Sequence, residues 1–170
     1  MLKEGDVMIE NQNRMPEAFA QIAGSAEYPE IHGVVYFFDV YGGTVVMAEV
    51  YGLPDEEKQD IGKFFAFHIH EGGSCGGSGQ EAFPNTGSHF NPEQTTHPGH
   101  VGDLPPLLSA HGGAWSAVYT GRFYPEEVIG KTVVIHSQPD DFKTQPAGDS
   151  GQKIACGEIK EWQPGSDLMK

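Results

Sequence analysis

Apolar residues in this chain cluster in short runs that glycine and proline interrupt, and they do not recur at helical spacing. Eight such runs are rich in β-branched and aromatic residues, a composition typical of β-strands. They occupy residues 17–24, 31–40, 43–52, 63–70, 106–110, 114–119, 132–136 and 154–160. Glycines in VYGGT and SAHGGAW favour hairpin turns. The pattern predicts an all-β fold, an eight-stranded antiparallel sandwich or barrel.

Two long segments without a convincing strand interrupt this regular spacing, at residues 71–105 and 137–153. Loops of that length are uncommon in a compact domain unless they are functional. Together with the strand ends next to them, they carry six of the eight histidines. The sequence therefore predicts two long functional loops at one end of the fold.

Length and composition indicate one globular domain, because 170 residues with 38% apolar and 20% charged residues suffice for a single core. No apolar run approaches the roughly 20 residues of a membrane helix, so no membrane partner is expected. The first residues contain no apolar segment of a secretory signal, which makes the cytoplasm the default expectation. Whether the protein is a monomer or a homodimer stays open at this stage.

The net charge of −14, from 24 acidic and 10 basic residues, excludes one class of partner. Nucleic-acid binding needs clustered lysine and arginine to neutralise phosphates, so no nucleic acid is expected. The same charge repels an anionic substrate at long range unless local positive charge prevails near the site.

A pair of histidines, His68 and His70, closes the strand FAFHIH. Residues two apart in a strand point to the same face, about 6.6 Å apart along it, so the two imidazoles are able to chelate one ion. The pair alone is weak evidence, because polar residues also close strands. His136 ends the strand TVVIH in the same way and has the same two interpretations.

The segment GSHFNPEQTTHPGHVGD adds three histidines and a carboxylate: His89, His97, His100 and Asp103. Nitrogen and oxygen ligands in this number form a complete tetrahedral zinc set, and three histidines within 12 residues disfavour a merely solvated loop. With the strand-end histidines the chain has seven candidate ligands. Seven ligands fill two four-coordinate sites when one imidazole bridges through its two nitrogens. An all-imidazole site suits copper, and the set with the carboxylate suits zinc.

The two cysteines, Cys75 and Cys156, are 81 residues apart and therefore form no CxxC motif. Spacing and composition leave two alternatives open, a pair of buried free thiols or one long-range disulfide.

Several of these motifs together resemble the copper/zinc superoxide dismutase family, in a bacterial type with short loops. AFHIHEGGSCG is similar to the family's first copper-ligand strand, GSHFNP to its bridging-histidine segment and HVGDL to the end of its zinc loop. GKTVVIHSQPDD is similar to the last copper-ligand strand, and IACGEI to the final strand. The resemblance implies a Greek-key β-barrel that binds copper and zinc and disproportionates superoxide to oxygen and hydrogen peroxide.

Carried over position by position, the resemblance implies a role for each candidate residue. The copper ligands are His68, His70, His89 and His136, and the zinc ligands are His89, His97, His100 and Asp103. Asp140 takes the position of a carboxylate that hydrogen-bonds one ligand of each metal, and Cys75 and Cys156 take those of the family disulfide. On this resemblance His89 also takes part in catalysis by accepting a proton.

Lys153 is the main departure from the family pattern, because an arginine that guides superoxide usually stands there. Lysine keeps the charge and loses the planar, two-pronged donor geometry, so we expect steering to survive and close positioning to weaken. His32 and His111 match no family ligand and are expected at the surface. The shortened loops leave the family's dimer contacts in doubt.

The resemblance covers residues 17–160, which we predict to form the domain, with residues 1–16 as an N-terminal extension and 161–170 as a C-terminal tail. Two other functions stay open at this point. One is a non-catalytic copper- and zinc-binding module of the same fold, for metal storage or delivery. The other is a structural β-domain that holds zinc alone.

Overall fold

The computed structural model of the protein describes residues 15–55 and 63–164, and its regular secondary structure consists almost entirely of antiparallel strands. The strands are β1 (Ala18–Gly24), β2 (His32–Val40), β3 (Gly43–Tyr51), β4 (Lys63–His70), β5 (Asp103–Ser109), β6 (Ala114–Thr120), β7 (Thr132–His136) and β8 (Lys153–Glu161). A short helix, α1 (Pro125–Val128), precedes β7. The strand positions follow the predicted apolar runs closely everywhere except in β5.

The eight strands form one sheet in the order β5-β4-β7-β8-β1-β2-β3-β6, so chain neighbours are often not sheet neighbours. The outermost strands, β5 and β6, contact each other and bring the sheet close to a closed barrel. This arrangement confirms the predicted eight-stranded Greek-key fold. Its consequence for the site is that the C-terminal end of β4 lies beside β7, which ends in another of the predicted ligands.

The barrel interior is filled by the inward-facing residues of each strand. Val35 and Phe37 of β2 are fully buried, and their chain neighbours on the opposite face are only partly buried. Strand β4 differs, because Phe65 and every following residue of the strand are buried on both faces. Something other than the barrel core must therefore cover the outer face of β4, and the two long loops do so.

Strand β5 begins at Asp103, three positions before the predicted start, and corrects the expectation that residues 71–105 contain no strand. Pro105 and Pro106 obscure the strand in the sequence, since proline cannot donate to a sheet and is confined to edges and bulges. The ladder between β4 and β5 shifts register at this point, and the N–H of Ala66 opposite the prolines donates instead to the carbonyl of Gln138, at 2.8 Å.

Cys75 and Cys156 form a disulfide with a Cα–Cα distance of 5.8 Å, which decides between the two alternatives that spacing left open. Cys156 lies in β8 and Cys75 in the long loop after β4, so the bond ties that loop to the barrel. The N–H of Cys75 also donates to the side chain of Glu158 in the same strand, at 3.3 Å.

Removing this disulfide is expected to destabilise the protein strongly, because the bond closes a loop of 81 residues. The chain-entropy relation gives about 4.5 kcal/mol for such a loop, equivalent to roughly 9–18 °C in Tm at this chain length. The measurement is urea and thermal unfolding of metal-free Cys75→Ser/Cys156→Ser, with the reduced wild-type protein as the matched control. Equal midpoints for the oxidised wild type and the double variant would contradict the expectation.

The C-terminal end of the barrel lies close to residue 160, the predicted end of the domain. Strand β8 continues to Glu161, and the buried ring of Trp162 packs edge-on against Phe19 and Tyr36, so the folded unit extends past residue 160. Residues 1–14 and 165–170, most of the predicted extension and tail, lie outside the described residues. Among the described residues, no helix is long and apolar enough to cross a membrane.

Candidate metal centre

His68 and His70 lie at the end of β4 on the same face of the strand, as the alternating pattern predicts. Phe67 and Ile69 point the other way, into the hydrophobic core. Both histidines are nevertheless buried, with 0% and 2% exposure, because segments of the two long loops contact them. The strand thus presents two imidazoles to a site that water reaches only partly.

His68, His70, His89 and His136 form the first cluster, to which each contributes one ring nitrogen. These nitrogens all lie within 4.8 Å of one another. Nε2 of His70 is 3.3 Å from Nε2 of His136, and the ring centroids of His68 and His89 are 4.1 Å apart. Four imidazoles that converge in this way form a donor set suited to copper.

His89, His97, His100 and Asp103 form the second cluster, which is also buried. The Asp103 carboxylate lies 2.7 Å from Nδ1 of His89, 3.0 Å from Nδ1 of His97 and 3.3 Å from Nδ1 of His100. Its charge is available to balance a cation, and three imidazoles with one carboxylate form a tetrahedral donor set suited to zinc.

His89 belongs to both clusters and presents a different nitrogen to each. Nδ1 lies beside Asp103 in the second cluster, and Nε2 is buried without a hydrogen-bond partner. A bridge between the main chains of His70 and His89 holds the loop residue against the end of β4. This placement joins the two clusters through a single imidazole ring.

Asp140, from the second long loop, connects the clusters by a second route. Its carboxylate accepts a hydrogen bond from Nε2 of His68 at 2.8 Å and another from Nε2 of His97 at 2.9 Å. Burial raises the pKa of Asp140, but these bonds and one from the N–H of Phe142 outweigh it and bring the pKa to about 2. An ionised carboxylate only accepts hydrogen bonds, so both imidazoles carry a proton on Nε2 and leave Nδ1 free for a metal.

Hydrogen bonds orient His70 and His136 of the first cluster so that Nε2, and not Nδ1, is left for a metal. Nδ1 of His70 is 2.9 Å from the carbonyl of Gly87, so Nε2 faces the cluster. Nδ1 of His136 is 3.2 Å from the hydroxyl of Ser150 and 3.5 Å from the carbonyl of Gly151, which likewise leaves Nε2 for the cluster.

Burial keeps the imidazoles of His68, His70 and His136 in the neutral form that binds metals. It lowers the pKa of His70 to about 2 and that of His136 to about 3, and lowers the pKa of His68 against an opposing hydrogen bond to Asp140. Three buried imidazole nitrogens lack a hydrogen-bond partner among the described residues: Nδ1 of His68, Nδ1 of His97 and Nε2 of His89. These atoms point into the clusters, so the residues fit a copper and a zinc ion.

Two residues that the sequence analysis missed hold the loop of the second cluster in place. The side-chain amide of Gln145 pairs with the main chain of His97, accepting from its N–H at 3.0 Å and donating to its carbonyl at 2.7 Å. Nη1 of Arg122 donates to the carbonyl of His100 at 2.9 Å and to that of Asp103 at 3.2 Å. Since both act on main-chain atoms, no sequence motif indicates them.

Lys153 lines an open pocket of about 840 Å³, and His70, His89 and His136 form part of the same wall. No other lysine or arginine occurs among the described residues that line this pocket. His32 and His111 are exposed and belong to neither cluster, in keeping with the surface position predicted for them.

Replacing Asp140 by asparagine is expected to weaken both clusters together. An amide presents an N–H to one of the two imidazoles, so one ring loses the partner that fixes its tautomer. Loss of such an outer hydrogen bond typically lowers metal affinity by roughly 10–100-fold. Competition with chelators for copper and for zinc measures the effect, with Asp141→Asn as the control on the exposed neighbouring carboxylate. Unchanged affinity at both sites would contradict the bridging role.

A nearly closed antiparallel barrel with two histidine-rich clusters around one shared imidazole defines the class: an all-β protein able to hold two metal ions side by side. The sequence model of the copper/zinc superoxide dismutase family (SODC) matches residues 31–159. The chain therefore belongs to the copper/zinc superoxide dismutase family.

Individual relatives agree with this assignment. The chain is 37% identical over 145 residues to a copper/zinc superoxide dismutase of Caulobacter vibrioides, covering 75% of this chain and 78% of the relative. It is 28% identical over 163 residues to that of Legionella pneumophila, covering 92% and 94%. The structure of the Brucella abortus copper/zinc enzyme superposes with a TM-score of 0.72 at 24% identity, covering 85% of this chain and all of that one, and supports the fold.

Proposed function

We propose that this protein disproportionates superoxide to oxygen and hydrogen peroxide, with copper bound by His68, His70, His89 and His136 and zinc bound by His89, His97, His100 and Asp103. The observation that carries the proposal is His89, whose Nδ1 and Nε2 belong to different donor sets. A metal-storage site does not need its two ions joined through one ring. A redox site with proton transfer benefits from that arrangement.

Copper, when bound, supplies the one-electron chemistry by cycling between Cu(II) and Cu(I). The contribution of the protein is to move a proton and to admit the anion. Nε2 of His89 is the atom placed to take up a proton and to pass it to the product, since Nδ1 is held on the zinc side. Asp103 orients the ring from that side, at 2.7 Å from Nδ1.

Lys153 is the proposed guide for the anion on its final approach. The net charge of −14 opposes superoxide, but charges beyond about 8 Å are largely screened at physiological ionic strength. Within that range the pocket offers the Lys153 ammonium beside the three copper-side imidazoles. Glu27, Glu71 and Glu81 line the same pocket, so the attraction that Lys153 supplies acts locally, beside the copper-side imidazoles.

The test is metal analysis of the purified protein together with a superoxide-consumption assay. One copper and one zinc per chain with turnover near the diffusion limit is the expected result. Copper and zinc without turnover would instead support a metal-storage or delivery module. Zinc alone after incubation with copper would overturn the enzymatic proposal.

A further inference from the structure

The ammonium of Lys153 has a well-defined anchor, although lysine is a flexible side chain. Nζ donates to the hydroxyl of Thr86 at 2.9 Å and makes a longer contact, 3.5 Å, with the carbonyl of Gly87. That carbonyl already accepts a hydrogen bond from His70 at 2.9 Å. The Thr86 hydroxyl is therefore the principal partner of the ammonium among the described residues.

Thr86 is a fixed point from which to hold a cation, because the residue is completely buried. Its hydroxyl donates to the carbonyl of Phe83 at 2.8 Å, which directs the oxygen lone pairs away from Phe83 and leaves them to accept from Lys153. The carbonyl of Thr86 accepts from the N–H of Gly72 at 2.8 Å, so the main chain is held as well.

An anchor of this kind matters more for lysine than for arginine. The arginine guanidinium carries five N–H groups in a rigid plane and engages two acceptors at once, whereas lysine places a compact ammonium at the end of four rotatable bonds. A lysine without a fixed acceptor spreads its charge over many rotamers. The Thr86 hydroxyl restricts Lys153 to the wall of the pocket that His70 and His136 share.

We propose that Thr86 is a positioning residue, whose hydroxyl holds the Lys153 ammonium where it receives a small monovalent anion at the copper side of the pocket. The inference rests on the proposed function for the identity of that anion, and it concerns anion binding rather than redox chemistry. The Thr86 hydroxyl thus fixes the position of the Lys153 ammonium, a restraint that an arginine side chain provides by its own rigid plane.

The principal variant is Thr86→Val, which replaces the hydroxyl with a methyl group of nearly equal volume. The N–H of Thr86 also bonds the Phe83 carbonyl, at 3.2 Å, so that carbonyl keeps a partner in the variant. Thr44→Val is the matched control, because Thr44 is equally buried and its hydroxyl donates to the carbonyl of Phe123 at 2.8 Å. Thr86→Ala serves if Thr86→Val does not fold, and Thr86→Ser keeps the hydroxyl.

The first measurement uses the metal-free protein and detects the lysine ammonium by ¹H–¹⁵N NMR, with the Lys153 signal assigned through its absence in Lys153→Arg. We expect a signal protected from water exchange in the wild type and in Thr86→Ser. In Thr86→Val the protection should be lost, while Thr44→Val should keep it.

The second measurement is the Kd of azide, a small monovalent anion, titrated into the copper- and zinc-loaded protein and followed by absorption. We expect Thr86→Val to weaken azide binding about three- to tenfold, because the cation is no longer held in place. Lys153→Arg in the Thr86→Val background should restore the affinity, since a guanidinium needs no threonine hydroxyl. The effects of the two substitutions should therefore be non-additive.

Azide affinity in Thr86→Val equal to that in Thr44→Val would overturn the inference, as would failure of Lys153→Arg to rescue the variant. Loss of the protected ammonium signal without any change in azide affinity would also overturn it. A protein that lacks superoxide turnover but shows the expected azide and NMR changes would refute the proposed function and support the role of Thr86.

Discussion

His136→Ala is expected to abolish superoxide turnover and copper binding while zinc remains bound. His136 supplies one of four imidazoles to the first cluster and none to the second, so its loss leaves the zinc donor set complete. The loss of copper affinity should exceed the roughly 10–100-fold that removal of an outer hydrogen-bond partner causes. Metal content after dialysis and the rate of superoxide consumption measure the two effects.

The matched control for this variant is His111→Asn, which removes an exposed histidine outside both clusters. Asparagine tolerates the backbone there, since His111 has a positive φ of 53°. The control should retain both metals and full turnover. Simultaneous loss of zinc from His136→Ala would show that the two sites do not separate as the geometry indicates, and retained turnover would remove His136 from the copper site.

Lys153→Glu is expected to lower kcat/KM for superoxide by roughly 10–100-fold at low ionic strength, because it reverses the charge at the pocket wall. Its salt dependence should also change sign. Salt screens an attraction in the wild type and slows the reaction, whereas it screens a repulsion in the variant and accelerates it. Pulse radiolysis over a series of salt concentrations gives both quantities.

Lys143→Glu is the control for this charge reversal, because it changes the net charge of the protein by the same amount. Lys143 is exposed in the second long loop and does not line the pocket. A small effect from Lys143→Glu and a large one from Lys153→Glu would locate the guidance at the pocket. Equal effects would assign it to net charge, and an unchanged rate in Lys153→Glu would exclude Lys153 from the mechanism.

Residue types and periodicity were sufficient to predict an eight-stranded all-β fold and the candidate ligand residues, whereas the Greek-key barrel followed from the family resemblance. The period-two alternation in FAFHIH places both histidines on one face, and the structure places them so, with Phe67 and Ile69 in the core. Strand positions followed from local composition because each strand must bury one face. The exception is β5, where two prolines hide a strand that a register shift accommodates.

The orientation of each ligand was not predictable from local sequence, because the partner that sets it lies far along the chain. Asp140 fixes the tautomer of His68 from 72 positions away and that of His97 from 43 positions away. The same holds for Gln145, whose amide holds the main chain of His97 across the two long loops. These contacts exist only after the barrel brings the loops together.

The sequence by itself therefore determined which side chains are available to the two ions, since imidazole and carboxylate chemistry depends only on residue type. The family resemblance already implied that His89 joins the two sets, and the structure places it in both clusters. The tertiary structure alone decided that the Lys153 ammonium rests on the Thr86 hydroxyl, 67 positions away. The physical reason is that hydrogen bonds act over about 3 Å, whatever the separation in sequence. Which groups come within that distance is settled by how the strands pack and where the loops cross.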